Sequence, residues 1–247
     1  MLTLKQNSFL FLILFCLILS FTTTIYAKNA PWVGNNLSNV RCTGKGQGFG
    51  PFDYLKRSSL HSKLSIVESH HFTYQVESLR RGQSTTLVVG DIDYTLRAWP
   101  NHHRALNAIT RYKLLHPRKP KPRSPVECYF QRAINFSPAD ATTRMLYGMY
   151  LQKTHHIKMA DKQYKKALEL SPQNPIICYN YGLFLFGQKK YSQAQQQAII
   201  AYEAKFPLNG LKNKLKRVKF WPPKKTPKSV ESSVSKTPKT NKTNKTK

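Results

Sequence analysis

The chain has 247 residues, enough for one medium-sized domain with flexible ends. Its 40 Lys and Arg against 11 Asp and Glu give a formal net charge of +29, which favours anionic partners such as nucleic acid, acidic lipid or an acidic polymer without choosing among them. Beyond an N-terminal apolar run no stretch approaches the length of a membrane-spanning helix.

Residues 1–27 read as an export signal. Lys5 supplies a short positive region, Phe9 to Phe21 form an uncharged, mostly apolar run of 13 residues, and Ile25-Tyr26-Ala27 places a small residue before a cut after Ala27. The run is shorter than the ~20 residues of a membrane span, so cleavage is expected ahead of anchoring, and an uncut leader would act as a signal anchor. Cleavage leaves Cys42, Cys128 and Cys178. Export implies an oxidising compartment, and the arithmetic gives one disulfide and one thiol. Cys42–Cys128 is the expected pair, because Cys178 falls at a helix position where small apolar residues pack.

Residues 28–62 are rich in Gly and Asn and read as irregular. Gly44, Gly46, Gly48 and Gly50 alternate through a loop that ends in Phe52-Asp53-Tyr54. It is neither a Walker A loop, lacking Gly-Lys-Ser/Thr at the required spacing, nor a dinucleotide fingerprint, lacking a preceding apolar strand. It reads as a cover packed by Phe49, Phe52 and Tyr54 on the first helix. Residues 63–125 read as helical. A helix over 63–81 places Leu64, Val67, His71, Tyr74 and Leu79 roughly on one face and stops at Gly82. Asp91 to Ala98 form the next, closed by Pro100. Asn101 caps a third, which buries Ala105, Leu106, Ile109 and Tyr112. His116 to Pro125 is an insert with four prolines and four cations, a composition that favours polyproline conformation. Ser124, Pro125 and Glu127 then read as a capping box.

From Val126 a period emerges. Ala133, Ala167 and Ala201 are each 34 residues apart, and so are Gly148 and Gly182, Leu151 and Leu185, Ala160 and Ala194, and Pro138 and Pro172. On these residues 126–207 resemble the tetratricopeptide repeat family, built from helix–turn–helix units of 34 residues. The resemblance implies an all-α, right-handed helical solenoid. Residues 208–221 then form a capping helix with Leu211, Leu215 and Val218 on one face. Residues 222–247 hold eight Lys against one Glu and read as a disordered basic tail. The repeat code has gaps. Arg144 and Cys178 stand where a large residue is usual, Ala198 replaces an aromatic, and the last closing proline is displaced to Pro207. Upstream, Gly50 to Tyr54 and Asp91 to Leu106 look like blocks in uncharacterised exported bacterial proteins of this repeat type.

The resemblance implies ligand binding on the concave face of the first helices, which carries Met145, Met149, Gln152, Lys153, Tyr179, Leu183 and Phe186. Met, Tyr and Phe together make an adaptable apolar groove for a peptide or helix of a protein partner; the competing reading has the C-terminal helix and upstream segment filling it. The expected function is an exported, non-enzymatic adaptor in a bacterial envelope assembly, periplasmic or secreted, with no cofactor or metal. The alternatives are an anion-binding surface protein, with acidic lipid or cell-wall polymer ahead of nucleic acid, and an enzyme using a polar cluster of Asp91, Asp93, Arg97, His102, His103 and Arg104. Adjacent histidines such as His70-His71, His102-His103 and His155-His156 point about 100° apart on a helix and do not chelate as an i, i+4 pair does. No His-Glu-x-x-His, Cys-x-x-Cys or Gly-x-Ser-x-Gly pattern occurs.

Overall fold

A computed structural model describes residues 29–118 and 122–221. The leader, the basic tail and the centre of the Pro-rich insert lie outside these described residues. Within them the protein is a helical solenoid with no strand beyond one isolated bridge, Asn35 with Arg41. No described helix is long and apolar enough to cross a membrane.

The N-terminal segment is tied down across the helices behind it. Cys42 is disulfide-bonded to Cys128, 86 residues away. Arg132, 2% exposed, donates through Nε to the Ala30 carbonyl and through its terminal nitrogens to Leu96, Arg97 and Gln47. The glycine loop lies over the end of α3 (Val88–Ala98), not over the first helix alone. Gln47 donates to the Arg97 carbonyl, the Arg97 guanidinium donates to the Gly46 carbonyl, and Phe52 and Tyr54 pack on Trp99. Gly50, at φ +103, admits no side chain, since a Cβ there would meet the Ala98 carbonyl at 2.5 Å.

Three upstream expectations are corrected. The helix expected over 63–81 is two, α1 (His61–His71) and α2 (Tyr74–Glu77). The chain breaks at Phe72 and Thr73, which sends both Phe72 and Val76 into the core. The next helix, α3, begins three residues earlier than Asp91, so Gly90 and Asp91 lie in its first turn. In α4 (His103–Leu115) the cap is His102, whose Nδ1 accepts the Ala105 amide at 3.1 Å, not Asn101. Asn101 is fully buried and bridges Asp53 and Asp140 through its Nδ2.

In α5 (Val126–Phe136) the expected capping box does not form. Ser124 donates to the Thr43 carbonyl, and Glu127 accepts from the Leu37 amide and the Tyr150 hydroxyl. Thr43 and Leu37 come from the N-terminal segment, distant in sequence, and Tyr150 from the helix that follows. Cys178 is a buried thiol whose pKa burial raises.

The repeats follow from local rules. Helices α6 (Ala141–Lys153) and α7 (Ile157–Leu170) form one hairpin, and α8 (Pro175–Gly187) and α9 (Tyr191–Glu203) the next. Asp140 and Asn174, 34 residues apart, cap α6 and α8 with side-chain oxygens. At the hairpin turns His155 and Lys189, also 34 apart, take the left-handed conformation with φ near +60. Gly148 lets the Tyr164 ring approach to within 3.1 Å of where a Cβ would stand. The last helix, α10 (Gly210–Arg217), covers the open end with Leu211 and Leu215 fully buried.

Candidate partner-binding groove

Helices α4, α6 and α8, the first of successive hairpins, lie side by side. Between α4 and α6 is a hollow of about 170 Å³, lined by Asn107, Thr110, Arg111, Leu114, Leu146, Met149 and Lys153. The α4 residues recur at i, i+3, i+4 and i+7, and the α6 residues at i, i+3 and i+7, so each helix presents a single face. The walls are apolar, with Leu114 40% and neighbouring Leu115 67% exposed. The Thr110 hydroxyl is buried and has no hydrogen-bond partner among the described residues. Arg111 reaches the Glu77 carbonyl, an uncharged acceptor, while the Glu77 carboxylate is taken by Arg104.

Of the seven residues expected on this face, Met149 and Lys153 line the hollow. Met145 and Tyr179 are core residues instead. Gln152 accepts from the Tyr164 hydroxyl behind α6. Tyr179 packs on Phe206 and meets Gly210. Phe186 lies against Tyr191 and under the Lys214 ammonium, and Leu183 is half-buried against the core. The C-terminal helix thus covers the α8 end, and the open part of the face shifts toward α4. Sequence reading missed Asn107, Thr110, Arg111 and Leu114, because the small-residue code is absent from α4. Their signal was the i, i+3, i+4, i+7 spacing on a face apart from Ala105, Ile109 and Tyr112.

The six polar residues of the Asp91–Arg104 block do not converge on one hollow. Asp91, fully buried, accepts from His71 Nδ1, the amides of Gln83, Ser84 and Thr85, and the Thr85 hydroxyl. Asp93 accepts from the Tyr129 hydroxyl at 2.6 Å and from Arg97. Because His102 Nδ1 is an acceptor, its Nε2 carries the proton and donates to Glu68 at 3.0 Å. His103 bonds Asp140, and Arg104 pairs with Glu77 and Glu68. Burial holds the His102 pKa below the usual value. The hydrogen bond from His102 holds Glu68 low. For Asp140, burial alone raises the pKa, and the bonds from His103, Thr143 and Asn101 outweigh it. These pairs join the N-terminal helices to the repeats. Among the described residues no group of three or more His, Cys, Asp or Glu is placed to hold a metal ion.

A larger, more open hollow of about 590 Å³ runs along α7 past Arg144, Lys158 and Lys162. Its two carboxylates, Asp161 and Glu169, are already paired with Lys165 and Lys166.

No family model matches the chain. Two curated relatives do. A type IV pilus assembly protein, PilF of Pseudomonas aeruginosa, is 32% identical over 71 residues, 29% of this chain and 28% of that protein. Tetratricopeptide repeat protein 21B of the mouse is 31% identical over 120 residues, 42% of this chain and 9% of that protein. The chain therefore spans about a quarter of the first relative and less than a tenth of the second. Among solved structures, "MamA RS-1 ArsTM double mutant" aligns with 67% of this chain and 90% of its own, at 20% identity and a TM-score of 0.36.

Proposed function

We propose that this helical-repeat protein is an exported, non-enzymatic adaptor that holds a protein partner on the face formed by α4 and α6. The observation that carries the reading is the hollow there, with apolar walls from Leu114, Leu146 and Met149 and no carboxylate in its lining. Such a surface gains by being covered. The short leader at residues 1–27 supports export, and the relative named for type IV pilus assembly supports a place in the cell envelope. The test is chemical cross-linking in intact cells followed by purification of the full chain, a Met149→Glu variant and a version ending at Trp221. One dominant protein held by the full chain and the truncated version, and lost from Met149→Glu with helicity unchanged, supports the adaptor. A partner unaffected by Met149→Glu overturns the assignment of the face.

A second reading rests on the formal charge of +29 and the lysines along α7. It makes the protein an anion-binding surface for acidic lipid or cell-wall polymer. Recovery of polyanions alone, released by salt and lost with the tail, favours it.

A further inference from the structure

We propose that the hollow along α7 is a binding site for a linear chain of phosphates, one phosphate held by the Arg144 guanidinium and its neighbours by Lys158 and Lys162. This inference rests on the anion-binding reading and gives it a place in the fold and a ligand chemistry. It is separate from the face between α4 and α6, with which the hollow shares no lining residue.

The guanidinium comes first. Arg144 stands where the repeat code has a large residue, so this cation is the chain's own feature and not part of the code. It projects from the first turn of α6 into the space beside α7. Its Nε is buried with no hydrogen-bond partner among the described residues. Its terminal nitrogens reach two uncharged oxygens, Gln163 Oε1 at 3.4 Å and the Pro138 carbonyl at 3.5 Å, both beyond an ordinary N–H···O length. Arg132, by contrast, makes three bonds of 2.7 to 2.8 Å. Burial lowers the Arg144 pKa, as it does for a cation that has lost water without a full replacement. The bond to Pro138 is solvent-exposed, so an occupant meets the fork at its terminal nitrogens and not at Nε. A phosphate there supplies the bidentate partner that the guanidinium lacks.

The face of α7 comes second. Lys158, Asp161, Lys162, Lys165, Lys166 and Glu169 recur at i, i+3, i+4, i+7, i+8 and i+11, one side of the helix. Lys165 and the Tyr181 hydroxyl take Asp161, and Lys166 takes Glu169. With the two carboxylates closed in this way, Arg144, Lys158 and Lys162 have no ion-pair partner among the described residues.

Size and lining come third. The hollow, about 590 Å³, is larger than a single phosphate fills, and its α7 wall runs about 16 Å from Lys158 to Glu169. Lys158 and Lys162 stand one turn apart, about 6 Å along the axis, a step suited to successive charges on one thread. The lining is charged or amide throughout, with no apolar wall to anchor a side chain of an acidic protein segment. Arg144 is partly buried between two helices, within reach of a flexible thread and set back from a flat bilayer.

The test uses the full chain, isotopically labelled, and four probes: inorganic phosphate, linear polyphosphate, polyglutamate, and vesicles of phosphatidylglycerol. Affinities are read from the α7 amide shifts, so that binding to the tail does not enter. Polyphosphate is expected to shift α7 and the Arg144 Nε–H signal and to weaken as salt rises. Arg144→Leu should weaken polyphosphate by about tenfold or more while the melting temperature holds or rises, because an under-bonded cation is replaced by a large apolar side chain. Arg144→Lys keeps the charge, loses the fork and should weaken binding several-fold. Lys162→Gln should weaken binding and flatten its salt dependence, and Lys216→Gln, on α10, should change neither. Shifts confined to elements other than α7, or equal affinity in Arg144→Leu and Lys162→Gln, overturns the inference. So does inorganic phosphate or polyglutamate binding as tightly as polyphosphate. Vesicles that move α7 more strongly than polyphosphate overturn the thread in favour of a lipid surface. If polyphosphate leaves α7 unmoved while cells still yield polyanions that salt releases, this inference falls and the anion-binding reading stands on the tail. If cells yield none as well, both fall.

Discussion

Leu211 of the closing helix lies directly against Gly182, filling the space where a Cβ at that glycine would stand. One unit earlier the equivalent glycine, Gly148, is covered by the Tyr164 ring of its own hairpin partner. The last unit has Ala198 in place of that aromatic, so α10 supplies the missing side chain. Leu211→Ala is therefore expected to cost about 3 kcal/mol, as for a fully buried leucine, and to lower the melting temperature by roughly 6–12 °C. Thermal denaturation followed by circular dichroism checks it. An unchanged melting point would mean that α10 is not part of the cooperative fold.

Acid should loosen the seam between the N-terminal helices and the repeats. Neutral His102 satisfies both ring nitrogens, accepting from Ala105 and donating to Glu68, and burial holds its pKa down. A depressed folded-state value means that its contribution is complete above the ordinary histidine value of about 6.5 and is lost as pH falls through the folded value. Glu68 and Asp140, also held low, have the same sign at more acid pH. Their contributions are present above the ordinary carboxylate range and lost on protonation. The melting temperature is expected to fall between pH 7 and pH 5 and to fall again below pH 4. In His102→Asn, whose side chain still caps α4, the first decline should shrink. An equal slope between pH 7 and pH 5 in both proteins would remove His102 from the account.

The repeat half of the fold was legible because its rules are local. Gly148, Gly182 and the alanines at a spacing of 34 encode close helix approach within a single hairpin. The N-terminal half was legible only in outline, because its constraints are distant in sequence. Nothing near Ser124 indicates that it bonds Thr43, and nothing near Glu127 indicates Leu37 and Tyr150. The expected capping box failed for that reason. Of the face named from the sequence, Met149 and Lys153 line the hollow between α4 and α6. Family position assigned Tyr179 and Phe186 to the same face, but the chain's own end occupies them. The hollow opens instead beside α4, whose sequence carries no repeat code.

Asp91 is the most heavily bonded carboxylate described, and its loss should be severe and local. Its two oxygens gather the amides of three consecutive loop residues, Gln83 to Thr85, and the His71 ring. Asp91→Ala removes the buried acceptor that gathers those part-buried donors, at an expected cost of about 2–3 kcal/mol. The loop at residues 82–87 should open first, and limited proteolysis should cut there before anywhere in α6 to α9. Cleavage elsewhere at the same rate would deny the loop its dependence on Asp91.

Cys42 and Cys128 close a loop across a sequence separation of 86 residues. In the chain-entropy account such a cross-link restricts the unfolded chain by about 4–5 kcal/mol. Other ties hold the same segment: Arg132 bonds the Ala30 carbonyl, and Trp32 packs edge-on against Tyr129. These contacts survive in a Cys42→Ser, Cys128→Ser double variant, so the segment should stay docked in the folded state while the unfolded state gains its full freedom. The variant is expected to keep native helicity and to unfold at lower denaturant, because the loss acts through the unfolded chain. Thiol titration of the oxidised protein gives an independent check. In protein prepared without residues 1–27, and so without Cys16, one thiol, Cys178, should react only after denaturation, since it is buried with a raised pKa. Three reactive thiols in that denatured, non-reduced protein would show that the cross-link does not form. The N-terminal segment would then depend on its noncovalent ties, Arg132 to the Ala30 carbonyl, Trp32 against Tyr129 and the Leu37 amide to Glu127.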